Sequence, residues 1–117
     1  MQGSSMLAFV LNRILAAGAI GISVTSPGGE ILGEAGSRDW TGIARLIPSA
    51  AGSWGTLADS LGAENFSGAL IEAGTHLLLA MPLPDGGTLA AILEPDANTG
   101  RVRYEMRKNL DLITSVL

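Results

Sequence analysis

The chain has 117 residues, with seven basic residues against eleven acidic ones, a formal net charge of −4 and no cysteine. This length fits one domain, residues 1–117, in which residues 1–5 are expected to be disordered or vector-derived. The absence of cysteine excludes a disulfide framework, cysteine-ligated zinc and thiol catalysis, and the acidic balance with few aromatic residues makes nucleic acid a poor partner.

The chain opens with a predicted helix and two strands. Apolar residues recur at helical spacing over residues 5–16, which predicts an amphipathic helix ended by Gly18. Residues 19–25 and 30–35 are predicted to be two strands joined by a Pro-Gly-Gly turn. The longest uncharged stretch, residues 14–29, contains this turn and several glycines. No membrane insertion is therefore expected, and the chain is predicted to be cytoplasmic.

The most apolar segment is predicted to be one long helix over residues 39–62. Asp39 is placed to cap its first turn. Pro48 predicts a bend near Leu46 and Ile47, or two abutting helices, because proline removes a backbone hydrogen bond. The predicted core stripe, at three- and four-residue steps, consists of Trp40, Ile43, Ile47, Ala50, Ala51, Trp54, Leu57, Ala58 and Leu61.

Two further surfaces of this helix are expected to face away from the core. One is a flanking ridge, which a second molecule could cover and which consists of Leu46, Ala50, Ser53 and Leu57. The other is an outer face of small, nearly uncharged residues that a partner could approach closely. This outer face comprises Arg45, Ser49, Gly52, Thr56 and Asp59.

Three strands and a helix complete the chain. The strands are predicted at residues 65–73, 75–83 and 88–94, and Asn98 or Thr99 is predicted to cap the final helix. The last two strands are apolar on both faces, so helices must cover both sides of the sheet. The predicted fold class is therefore α+β, in the order α-β-β-α-β-β-β-α.

The first of these three strands lacks the usual protection of an edge strand, since residues 66–71 include no lysine, arginine or proline. At a sheet edge it would pair with another strand, and the flanking ridge would meet its mate across the same two-fold axis. This arrangement predicts a homodimer. Its predicted strand residues are Phe66, Ser67, Gly68, Ala69, Leu70 and Ile71.

Groups that could carry catalysis are sparse. His76 is the only histidine and has no accompanying acid or hydroxyl motif, so a strand-end or interface position is preferred over a catalytic base. One histidine and scattered acids predict no metal site. The only lysine, Lys108, lies in the predicted final helix, which excludes a P-loop. No catalytic residue and no cofactor are predicted.

Four of the seven basic residues cluster near the carboxyl end: Arg101, Arg103, Arg107 and Lys108. An anion-binding patch is one interpretation of this cluster. A solvated face of mixed charge is preferred, because Glu105 and Asp111 lie at helical spacing from the basic residues.

The order of elements and several local runs resemble the roadblock family, the dynein-light-chain type of domain, which includes bacterial members linked to small GTPases. The resemblance covers nearly the whole chain. It rests on Gly-Ala-Ile-Gly-Ile-Ser-Val at residues 18–24 leading into Pro-Gly-Gly-Glu-Ile-Leu at 27–32, on the long helix, and on Leu-Leu-Leu-Ala-Met at 77–81. Pro48, the short first helix and the Pro-Gly-Gly turn depart from the family pattern.

This resemblance implies a central five-stranded antiparallel sheet of the profilin-like type, with the first and last helices on one face and the long helix on the other. It implies a homodimer, or a heterodimer with a roadblock paralogue, in which third strands pair and long helices pack side by side. The implied function is a non-enzymatic adaptor, scaffold or regulator of a Ras-like small GTPase, and some bacterial members accelerate GTP hydrolysis.

Mapped onto this sequence, the implied dimer uses residues 66–71 and the flanking ridge. The implied partner-binding residues are Arg45, Ser49, Gly52 and Thr56. Arg45 could act as an arginine finger, but a surface or ion-pairing arginine is the preferred interpretation. Two other functions stay open. One is a small-ligand sensor of PAS- or profilin-like architecture, with a pocket framed by both glycine-rich turns, and the other is a purely structural oligomerisation module.

Overall fold

A computed structural model of the chain describes residues 2–36, 40–63 and 65–117, without the side chains at positions 2–4 and 41. The helices are α1 (Gln2–Ala16), α2 (Thr41–Ala44), α3 (Ile47–Ser60), α4 (Thr99–Lys108) and α5 (Leu110–Ser115). The strands are β1 (Ala19–Thr25), β2 (Ile31–Gly36), β3 (Ala69–Glu72), β4 (Leu77–Pro82) and β5 (Thr88–Leu93). The predicted α+β class and element order are confirmed, with the second and last predicted helices each divided in two.

The five strands form one antiparallel sheet in the order β2-β1-β5-β4-β3. One row of paired residues crosses the whole sheet through Ala35, Ile22, Ala91, Leu79 and Leu70. The β1–β2 and β4–β5 turns each place a glycine in the left-handed region, Gly29 at φ 94° and Gly86 at φ 94°. These tight turns keep neighbouring strands antiparallel and leave β2 and β3 at the two edges.

Each face of the sheet is covered by helices, as predicted. The larger core lies between the sheet and α1, α4 and α5, and it is filled by long aliphatic side chains such as Leu11, Ile14, Met106 and Ile113. The smaller core lies under α2 and α3. Its fully buried members are Trp40, Ile47, Ala80 and Ala90.

Gly21 on β1 makes room for the largest side chain of the smaller core. A Cβ atom at Gly21 would lie 2.9 Å from two ring atoms of Trp40. The indole therefore packs directly on the strand backbone, and Trp40 is only 2% exposed. Glycine at this position sets how closely the α2 region approaches the sheet.

Pro48 divides the predicted long helix in two. It occupies the first turn of α3, where its missing N–H group has no intrahelical partner to lose. The backbone N–H of Leu46 donates to the carbonyl of Ile43 at 2.9 Å and closes the turn between α2 and α3. The predicted cap at Asp39 lies outside the described residues.

The division corrects part of the predicted core stripe. Trp40 and Ile47 are buried as predicted and Trp54 is half-buried, but Leu57 and Leu61 are 59% and 78% exposed. Ile43, before the turn, is also 43% exposed. The two-residue turn interrupts the predicted helix, and Leu61 follows the last residue of α3.

The predicted third strand is too long. β3 begins at Ala69, so Phe66, Ser67 and Gly68 precede the strand. The reason is tertiary packing, because the ring of Phe66 stacks on Trp54 of α3 at 6.0 Å between centroids.

The first helix begins three residues before the predicted start at position 5.

The final predicted helix is interrupted at Asn109. This side chain is 4% exposed, and its amide donates to the carbonyl of Glu105 at 2.7 Å, which competes with regular helix geometry. The predicted cap at Asn98 is confirmed, since its Oδ1 accepts from the N–H of Arg101 at 3.1 Å.

No helix in the described ranges combines the length and the apolar character needed to cross a bilayer.

Candidate interaction surface

The flanking ridge on α3 is uncovered in the single chain. Leu46 is 67% exposed and Leu57 is 59% exposed, while Ser53 is exposed and Ala50 half-buried. Leu61, which is four residues after Leu57, extends the ridge at its carboxyl end. Single exposed leucines are common on protein surfaces, but three along one helix form a patch typical of an interface.

The inner side of α3 holds the helix against the sheet. Ile47 is buried against Ala80 and Ala90, and Trp54 packs on the same cluster. The Trp54–Phe66 stack ties α3 to the segment that leads into β3. The exposed ridge is therefore presented by a helix whose opposite side is anchored.

β3 is an open edge of the sheet. It pairs with β4, and the sheet order places no described strand on its other side. Leu70 is 51% exposed and Ile71 is 39% exposed. The strand carries no lysine, arginine or proline, residues that often prevent pairing with another chain, and its one charged residue is Glu72 at the carboxyl end.

The hydrogen-bond pattern shows which residues of β3 face this open edge. The backbone N–H of Ala73 donates to the carbonyl of His76 at 2.9 Å. Hydrogen-bonded pairs alternate along an antiparallel ladder, so Ile71 and Ala69 also bond to β4. Leu70 and Glu72 therefore direct their backbone N–H and C=O groups away from the sheet.

The predicted partner-binding residues are all exposed, and the last three share one face of α3 by their spacing: Arg45, Ser49, Gly52 and Thr56. The hydroxyl of Thr56 donates to the carbonyl of Gly52 at 3.1 Å, so its donor is satisfied within the helix. A Cβ atom at Gly52 would meet nothing within 4 Å. Gly52 therefore leaves open space beside the helix backbone.

Two cavities lie on the α3 side of the sheet. The larger, of about 450 Å³, is bordered by Trp40, Ile43, Ile71 and His76. The smaller, of about 230 Å³, lies at the opposite end of the strands, between Pro48, Phe66 and the two glycine-rich turns. The smaller cavity has the place predicted for the ligand-sensor alternative.

His76 lies immediately before β4, in an exposed position, where Nδ1 is 3.1 Å from the hydroxyl of Thr75. Within the described ranges, no acid contacts it in a catalytic arrangement. In the ranges the structure describes, no group of three or more histidine, cysteine or acidic side chains could hold a metal ion.

The sequence interpretation missed one feature. Arg103 and Arg107 of α4 do not simply face solvent, because they border a groove of about 140 Å³ whose other wall is Gly68, Ala69 and Leu70 at the open edge. Their four-residue spacing could have shown that they share one helix face. Only the tertiary fold places that face beside β3.

No protein-family model matches the chain, and no curated protein sequence matches it. Solved structures do match. An MglB structure with a tetrameric arrangement has a TM-score of 0.88 at 16% identity, over 99% of this chain and 90% of that one. Myxococcus xanthus MglB has a TM-score of 0.83 at 23% identity, over 94% and 93% of the two chains.

A Roadblock/LC7 domain from Streptomyces avermitilis also matches, with a TM-score of 0.63 at 25% identity, over 97% of this chain and 99% of that one. These structures share the five-stranded sheet and its helices over nearly their full lengths. The fold of this chain is therefore that of a roadblock domain.

Proposed function

We propose that the chain is a non-enzymatic, dimeric adaptor or regulator that binds a Ras-like small GTPase and modulates its GTP hydrolysis. The observation that carries the proposal is the pairing of two uncovered features in one roadblock fold: the leucines of the flanking ridge and the open edge β3. The likeness to MglB structures supports the connection to a small-GTPase system.

A dimer would cover both of the features that the single chain leaves uncovered. The backbone groups of Leu70 and Glu72 need hydrogen-bond partners in a strand, and the exposed leucines of α3 need an apolar surface. A second copy of the chain supplies both through one two-fold axis. Its β3 extends the sheet to ten strands, and its α3 packs on the flanking ridge. A heterodimer with a roadblock paralogue satisfies the same groups.

The GTPase is assigned to the outer face formed by Arg45, Ser49, Gly52 and Thr56. In the dimer, two copies of this face lie on the same side of the extended sheet, because α3 lies on that side in each protomer. The small side chains permit close contact with the backbone of a partner.

The experiment is a pull-down with a purified Ras-like GTPase from the same genome, loaded in turn with GDP and with a non-hydrolysable GTP analogue. The proposal predicts retention that depends on the bound nucleotide, and a changed single-turnover rate of GTP hydrolysis when the chain is added. Gly52→Arg, which places a bulky charge on the open outer face, should abolish both effects. Ala8→Arg, at an exposed position of α1 on the opposite side of the sheet, is the matched control.

GTPase regulation would be contradicted if the chain dimerises but neither binds the GTPase in any nucleotide state nor alters its rate of GTP hydrolysis. That outcome supports the structural oligomerisation module instead.

A second candidate function, small-ligand sensing, is favoured by one observation. The cavity of about 450 Å³ lies in the size range of small-molecule sites, and its walls are mainly apolar with His76 and Thr75 at the border. Native mass spectrometry of the purified chain distinguishes the two. A co-purified small molecule at one per chain supports the sensor, and an unliganded mass supports the adaptor.

A further inference from the structure

The groove between α4 and the open edge of the sheet carries two arginines without an acidic partner. Arg103 and Arg107 are exposed and four residues apart, so both side chains project from one face of α4. Within the described part of the chain, neither guanidinium forms an ion pair. Two like charges at this spacing repel each other slightly, so an acid between them stabilises both.

Glu72 is the acidic residue at the open edge. It ends β3, is exposed, and forms no ion pair within the described residues. Side chains alternate between the two faces of a strand, and Leu70 pairs with Leu79, a member of the larger core. Leu70 and Glu72 therefore lie on the face that α4 covers, the same face as the groove.

The backbone pattern limits how a second β3 can pair with the first. Only residues whose N–H and C=O groups face the open edge can form the new ladder, and in β3 these are Leu70 and Glu72. One antiparallel register places Leu70 opposite the partner's Glu72, and each such pair exchanges two backbone hydrogen bonds. Shifting the strands by two residues brings that glutamate opposite Gly68.

In either register, the incoming glutamate lies on the α4 face and beside the wall of the arginine groove. Directly opposed residues have Cβ atoms about 5 Å apart. Because Gly68 and Leu70 both line the groove with Arg103 and Arg107, the carboxylate comes within reach of the two guanidinium groups. The symmetry repeats the contact, since the Glu72 of each copy meets the arginines of the other.

We infer that the groove is an acceptor site for Glu72 of a second copy of this chain, and that this contact favours the two registers described above over shifts that carry Glu72 away from the groove. The inference rests on the proposed dimer and adds to it the charged residues that restrict the alignment of a short strand. Backbone hydrogen bonds alone specify the alignment weakly. A shift of the two strands that removes Glu72 from between the two arginines leaves its carboxylate unpaired and is therefore disfavoured.

The test measures the dimer dissociation constant by sedimentation equilibrium for the unmodified chain, Glu72→Lys, the pair Arg103→Glu/Arg107→Glu, and the triple variant that combines Glu72→Lys with both arginine substitutions. Glu72→Lys and the arginine pair variant each replace two attractive contacts by two repulsive ones. The dissociation constant of each is therefore expected to rise about tenfold or more. The triple variant should regain most of the lost affinity, and added salt should weaken the unmodified dimer more than Glu72→Lys.

Arg101→Glu makes the same charge change on α4 at an exposed position that does not line the groove, and it should leave the dissociation constant within about twofold. A dimer whose affinity is unchanged in Glu72→Lys overturns this inference and leaves the proposed dimer standing. A monomeric unmodified chain overturns the proposed dimer itself. Loss of GTPase binding in the arginine pair variant, with an unchanged dimer, assigns the groove to a different acidic partner and also overturns the inference.

Discussion

Replacing Leu57, near the carboxyl end of the flanking ridge, by glutamate should strongly weaken the dimer. The leucine side chain is 59% exposed in the single chain. Complete burial of a leucine is worth about 1.5–3 kcal/mol, so covering the exposed part is worth about 1–2 kcal/mol. The two-fold axis doubles this to about 2–4 kcal/mol, and at about 1.4 kcal/mol per factor of ten the dissociation constant rises about 30- to 700-fold.

Sedimentation equilibrium over a range of concentrations measures this constant, and far-ultraviolet circular dichroism checks that Leu57→Glu is folded. Leu117→Glu is the matched control, because Leu117 is 44% exposed at the end of the chain, beyond α5 and away from the ridge. An equal dissociation constant for Leu57→Glu and the unmodified chain would refute the assignment of the ridge to the dimer contact.

Three further substitutions test the packing, a cap and the outer face. Gly21→Ala forces Trp40 off the strand and should lower the free energy of unfolding by about 1–3 kcal/mol in urea. Gly55→Ala, where an added Cβ meets nothing within 4 Å, should be neutral or stabilising, and equal losses at both sites would count against the packing argument. Asn98→Ala removes the α4 cap and should lower the midpoint of thermal unfolding by about 4 °C, from a loss of about 1 kcal/mol; an unchanged midpoint would contradict the capping role. Arg45→Ala should change the rate of GTP hydrolysis that the chain stimulates by less than about threefold, whereas the loss of an arginine finger would lower this rate about 10³-fold or more.

Local sequence patterns were sufficient to predict most elements. Strand β1 has the predicted bounds, and β5 ends one residue earlier than predicted. These strands have strong signals, since each is an apolar run between glycine turns. The Asn98 cap was predictable for a similar reason, because it depends on residues only three positions apart.

The errors come from interactions between distant parts of the chain. Phe66 has high strand propensity, but the Trp54 ring offers it a larger apolar contact than an edge ladder would. The predicted core stripe of the long helix failed at Ile43, Leu57 and Leu61, which are exposed, because a periodicity count cannot show which apolar residues the sheet covers. Asn109 divides the last helix through a side-chain hydrogen bond that composition does not reveal.

The candidate surface was predictable in part. An excess of apolar residues on one helix and an unprotected strand were visible in the sequence, and both are exposed in the fold. The arginine groove was not predictable, because Arg103 lies more than thirty positions along the chain from the strand that forms the other wall. Its interpretation as a solvated face considered only neighbours on the same helix.

The central claim is that one two-fold contact covers both the flanking ridge and β3. The most direct measurement is the mass of the unmodified chain in solution, by light scattering at micromolar concentration. The account predicts a particle of twice the 12.0 kDa chain mass. A single mass of 12.0 kDa across the micromolar range would contradict it, because the exposed leucines and the open strand edge would then have no self-association to explain them.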